Sequence, residues 1–216
     1  MSSPELLMNP DDEFDEFWDA VMVMLNPVFG LGVAVQEYQT GGRKVGVIRI
    51  KDPVTKFEHV VGIKYSCRRW PIPPSMAQLY EERLRKLVAE KVPHRILSEA
   101  DITLVICGKF TRGVTKLSHR ERKTSGRSEM VYYVQKRGRS IIDVAKRIAE
   151  LLKRYYMSRI SRIREVCTRL EEQGLDTTRL DIAKLSTFLT IITKKLDEGI
   201  QLLHRKHKFN HCLKKV

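Results

Sequence analysis

The stretch EHVVGIKYSCRRW, residues 58–70, sets a lysine at the end of an apolar, strand-like run and follows it with two arginines and a tryptophan. A lysine held beside carboxylates can orient or deprotonate an attacking water and offset phosphate charge. No carboxylate stands two residues before Lys64, where the chain has Gly62. The guanidiniums of Arg68 and Arg69 suit phosphate oxygens, and the Trp70 indole can stack on a base or sugar. The favoured role for Trp70 is instead to plug the core under the crossing Pro71–Pro74. Further on, residues 109–127, KFTRGVTKLSHRERKTSGR, carry Lys109, Arg112, Lys116, Arg120, Arg122, Lys123 and Arg127 against a single acid, with Gly113 and Gly126 as breakers. This reads as an exposed loop or hairpin arm. Its cations would neutralise phosphates, with steep salt dependence and little sequence preference.

The whole chain shares that bias. Forty Lys and Arg against 26 Asp and Glu give 216 residues a net charge of +14, which points to a polyanionic partner, nucleic acid before an anionic membrane surface. No apolar run approaches the ~18 residues of a bilayer span. The opening MSSPELLMNPDDEFDEF is acidic and lacks the order of a secretion signal. Cys67, Cys107, Cys167 and Cys212 are scattered without a CxxC, as expected for reduced thiols in a cytoplasmic chain.

The elements that must position these groups follow from periodicity and breakers. Asn9-Pro10-Asp11-Asp12 is a helix start, and DDEFDEFWDAVMVML sets Phe14, Phe17, Trp18, Val21 and Leu25 on one face. GVAVQEYQ, KVGVIRI and FEHVVGIKYS form an antiparallel meander joined by hairpin-length turns. A turn at Pro53–Thr55 makes paired positions on the last two strands sum to about 108. SMAQLYEERLRKLVAEK is a helix, ITLVICGKF a strand buried on both faces, and MVYYVQK one more strand at a sheet edge. From Ser140 an apolar stripe through Ile148, Leu152, Tyr156 and Ile160 predicts a long helix, with Arg159 among the cations of its polar side. Thr178 and Asp181 suggest a capping box for a second helix, striped by Leu185, Leu189, Ile192, Leu196 and Leu203.

The order helix, three-stranded meander, helix, buried strand, over residues 11–110, resembles the core of the PD-(D/E)xK nuclease superfamily, with archaeal Holliday-junction resolvases the nearest likeness. The resemblance implies a metal site in which Glu16 (or Glu13) is the first-helix acid, Lys64 the lysine and Gln78 a polar helper, with Mg2+ as the cofactor of an active enzyme. The acid expected at position 62 is missing. Asp52 sits by the turn, ~20 Å from it along the strands; Glu37 or Glu58 are the substitutes.

The expectation is an α/β fold: a restriction-endonuclease-like core (α-β-β-β-α-β), residues 9–137, followed by an α-helical hairpin, 139–206, with flexible tails at 1–8 and 207–216. The hairpin is expected to make a coiled-coil homodimer, since its stripes ask for more surface than a small core presents. The expected function is binding of nucleic acid, duplex or structured DNA, on a nuclease-like fold with a degenerate metal site. The alternatives are an active Mg2+-dependent endonuclease and a protein-interaction scaffold.

Overall fold

A computed structural model describes residues 10–40, 43–115, 119–124, 127–136 and 139–213, and side chains over 12–39, 44–114, 129–136 and 139–206. Helix α1 (Pro10–Leu25) starts at the expected proline and buries Phe14, Phe17, Trp18, Val21 and Leu25. A 3-10 turn (Asn26–Val28) leads into β1 (Val33–Thr40), β2 (Arg43–Lys51) and β3 (Glu58–Tyr65), an antiparallel meander. The β2–β3 turn is tied by Asp52, 2% exposed, whose carboxylate accepts from the Val54 amide at 3.1 Å and the Thr55 hydroxyl at 2.6 Å. Asp52 is therefore a turn residue, as its place beside Pro53 required. Val47 pairs with Gly62, so positions sum to 109, one residue from the expected register.

Helix α2 (Pro74–Lys91) and the single turn α3 (His94–Leu97) carry the chain back to β4 (Asp101–Gly108), which lies parallel to β3. After the short α4 (Arg112–Thr115), β5 (His119–Thr124) and β6 (Arg127–Gln135) form a hairpin. The six strands run in the order β1-β2-β3-β4-β6-β5. This corrects the reading of MVYYVQK as an edge strand: β6 is interior, parallel to β4 on one side and covered on the other by β5. The edge belongs to HRERKT, drawn from the basic arm, and a charged strand is the usual protection of an open edge.

The chain ends in α5 (Ile141–Glu172) and α6 (Asp181–Leu213). The capping box forms at Ser140 and Asp143, whereas Thr178 instead donates to Asp176 in the connecting turn. Helix α2 covers one face of the sheet, over Val47, Val60, Leu104, Ile106 and Val131. The other face is covered by α1, α5 and α6, over Ile48, Ile50, Val61, Ile63 and Val105. The result is a three-layer α/β sandwich. Ile148, Leu152, Tyr156, Leu189, Ile192 and Leu196 all bury within this shared core, so the stripes assigned to a separate dimerising hairpin find their surface inside one chain. Helices α5 and α6 join α1 over that face, and α1 supplies apolar area beyond that of the sheet.

Helix α6 comes close to α1 at Gly199, where a Cβ would lie 1.8 Å from the Met24 carbonyl oxygen. Gly199→Ala should therefore destabilise the fold by about 1–3 kcal/mol, although alanine is otherwise the better helix former. Equal or higher stability to urea would mean that α6 does not seat on α1 as described.

Candidate nucleic-acid interface

Successive β3 side chains alternate between the two cores. Val61, Ile63 and Tyr65 face α1, while Val60, Gly62 and Lys64 face α2. Lys64 is 6% exposed, with its ammonium 4.9 Å from the centre of the Tyr80 ring of α2. It is a buried lysine against an aromatic face, not a solvated one. Helix α1 lies on the opposite face, so the sheet separates Glu16 from Lys64, and Glu16 and Gln78 are both exposed. The structure does not bring the three residues together. The substitute acids are engaged elsewhere: Glu58 holds Arg49 at 2.7 Å, and Glu37 lies 3.9 Å from Lys44. On the α2 face the buried Glu81 accepts from Tyr133 at 2.6 Å and from Arg85 at 2.7 Å, and Arg85 also grips Glu129 on β6. Among the described residues no three His, Cys, Asp or Glu stand together as a metal-binding set.

Two clusters remain, one at each end of the parallel strands. At the amino ends lies a buried polar network. His59 is bonded through Nδ1 to the Tyr156 hydroxyl and through Nε2 to the Thr103 hydroxyl, both at 2.8 Å. Asp101 accepts from Tyr155 and from Arg159, whose guanidinium also lies over the Phe57 ring. Arg159 thus turns inward to join α5 to β4, against its expected place on the polar side. Burial, with the Arg159 charge adding to it, lowers the His59 pKa from 6.5 to about 3 and keeps the ring neutral. The only signal in the sequence was a histidine inside an apolar strand. Each of these groups has its partners inside the protein, and the network holds the sheet to the C-terminal helices.

At the carboxyl ends, three chain segments are stitched into one rim. The Ser66 amide donates to the Cys107 carbonyl at 2.9 Å and the Ile72 amide to the Lys109 carbonyl at 2.7 Å, while Thr111 bonds back to Ile72 at 3.1 Å. The Lys136 amide donates to Gly108 at 2.9 Å, and Arg139 bonds to Lys136 at 3.0 Å. Each segment brings cations: Arg68 and Arg69 after β3, Lys109 and Arg112 after β4, Lys136 and Arg139 after β6. Arg68, Arg69, Arg112 and Arg139 are exposed, and Lys109 half-buried. Lys136 is taken up by an ion pair with Glu13, which also accepts from the Tyr65 hydroxyl at 2.9 Å and ties α1 to the rim. Beyond the rim the chain passes to α2 on one face and to α5 on the other. Such a divergence outside the carboxyl ends of parallel strands is the habitual ligand position in open α/β sheets.

Trp70 stands on this rim at 81% exposure, which corrects its assignment to the core beneath Pro71–Pro74. Ile72 fills that place instead, fully buried and bridged to Phe110. The arm is also redistributed. Its cations follow β5 down the sheet edge, from His119 opposite Tyr132 to Arg127 at the hairpin turn. Lys116, and the side chains of Arg120, Arg122, Lys123 and Arg127, lie outside the described residues. The third rim segment, Lys136 and Arg139, was not foreseen, because nothing in the sequence states that β6 runs parallel to β4.

No protein-family model, no curated protein and no solved structure matches the chain.

The His59 network sets a sign for pH dependence. Below 6.5 the unfolded chain takes up a proton that the folded chain refuses until about 3, so this contribution to stability is complete above 6.5 and falls as the pH drops through that window. The loss should be roughly 1 kcal/mol per pH unit. Urea midpoints measured across the window should fall more steeply for the wild type than for His59→Gln. Parallel curves would contradict a neutral, buried His59.

Proposed function

We propose that the chain binds nucleic acid, duplex or structured DNA in first place, along the rim at the carboxyl ends of β3, β4 and β6. The observation that carries this reading is the convergence of three cationic segments, held together by backbone hydrogen bonds rather than left on loose loops. Among the described residues Arg68, Arg69 and Lys109 form no ion pair, so their charge is available to an external anion. The amino-terminal ends of α2 and α5 open at the same edge and add partial positive charge.

Recognition is by phosphate. Exposed guanidiniums read backbone oxygens and carry no base code, so binding is strong at low salt and indifferent to sequence. The order α1-β1-β2-β3-α2-β4, which suggested a nuclease-like core, serves on this reading as a scaffold for binding. A cleavage role finds no support in the placement of Glu16, Lys64 and Gln78. The reading does not draw on the expected dimer, since Ile148, Leu152, Tyr156, Leu189, Ile192 and Leu196 of the helical stripes pack within the chain.

Titration of a duplex across a salt series tests this. With about five phosphate contacts the logarithm of affinity should fall against the logarithm of salt with a slope of roughly −4. Replacing Arg68 and Arg69 together by alanine should reduce that slope by roughly 2 and weaken all sequences alike. Affinity unaffected by salt, or by the double substitution, would reject phosphate binding at the rim.

A further inference from the structure

Trp70 does more than add area to a basic surface. It is the most exposed large apolar side chain among the described residues, at 81%, yet its backbone is not loose. The segment that carries it is pinned on one side by Ser66 to Cys107 and on the other by Ile72 to Lys109, with Ile72 buried as an anchor. Pro71 fixes one further backbone angle next to the indole. A lone exposed apolar side chain is ordinary in itself, but tryptophan is enriched at binding interfaces, and an anchored segment presents its ring at little cost in conformational entropy.

The kind of partner follows from what surrounds the ring. Ile72, Phe110 and Val114 are buried, so beside Trp70 the exposed apolar surface of the rim is confined to the small rings of Pro71 and Pro73, with Arg68 and Arg69 next to them in the chain. A docking protein or a bilayer would need a broader apolar patch than one indole. A planar, polar-edged ring bounded by phosphates needs only a face on which to stack, and a nucleobase meets that description. Bases within a continuous duplex have both faces occupied by their neighbours. A free face occurs where pairing stops.

Resting on the nucleic-acid reading above, we propose that Trp70 caps the first unpaired base beside a duplex, while the rim cations hold the duplex phosphates. The substrate class is then a boundary between double and single strand, such as an overhang or a fork, in preference to a blunt duplex.

Three probes of equal duplex sequence separate the possibilities: one blunt, one with a short thymine overhang, one with an abasic overhang of equal length and charge. The full chain should bind the thymine overhang roughly tenfold more tightly than the blunt duplex, as one stacked base warrants, and the abasic overhang should recover little of this. The chain has two tryptophans and Trp18 is buried on α1, so the emission quenched by the thymine overhang should be that of an exposed indole and should vanish in Trp70→Ala. Trp70→Ala should also bind all three probes alike, and Trp70→Phe should keep part of the preference. Equal, salt-dependent binding of the three probes by the wild type, without quenching, would overturn the stacking role and leave the phosphate reading intact. No binding of any probe at low salt would overturn both.

Discussion

Parallel pairing of β4 with β3 on one side and β6 on the other is the constraint on which the rest of the molecule depends. It sends three chain segments out of the same edge of the sheet, and backbone hydrogen bonds from Ile72 to Lys109 and from Lys136 to Gly108 then fuse them. Cations far apart in sequence become neighbours without meeting in the core. Were β6 antiparallel to β4, Lys136 and Arg139 would emerge at the opposite end, beside the His59 network. The grouping of these cations at one edge of the sheet is thus a product of topology as much as of composition.

The same strands keep chemistry off the sheet faces. Lys64 packs on Tyr80, while Glu81, Arg85, Glu129 and Tyr133 satisfy one another across α2 and β6. On the other face His59, Tyr156, Thr103, Asp101 and Arg159 do so between the strands and α5. Buried polar groups whose bonds are spent inside the protein rigidify the core and leave little free for a substrate. Exposed arginines lie on the rim at Arg68, Arg69 and Arg139, and also along α5 at Arg154, Arg162 and Arg164. One end of the parallel strands therefore works as a joint between sheet and helices, and the other as a surface.

Much of the fold was legible because apolar periodicity states it directly. The α1 stripe of Phe14, Phe17, Trp18, Val21 and Leu25 is buried as read, and the β2–β3 register was off by a single residue because Asp52-Pro53 marks its turn so clearly. What failed did so for separate reasons. HRERKT has no apolar residue to announce a strand, since an edge strand takes its order from its partner. Without β5, MVYYVQK looked like an edge, and nothing in its residues set its direction, so Lys136 and Arg139 were not placed on the rim. Trp70 was placed inside because tryptophan is apolar. Its neighbour Ile72 takes the anchoring place, a choice between two adjacent residues that periodicity does not make. The helical stripes were read correctly, but the surface they cover was not, because α1 lies more than a hundred residues away in the chain.

Hydrogen–deuterium exchange of the full chain, with and without an overhang duplex at low salt, tests the central claim most directly. Slowed exchange should be concentrated in residues 66–73, 108–112 and 139–143, with the Asp101–Arg159 joint at the opposite end of the strands unchanged. Protection confined to α6 or to the β1 edge, with the rim exchanging as fast as in the free protein, would contradict it.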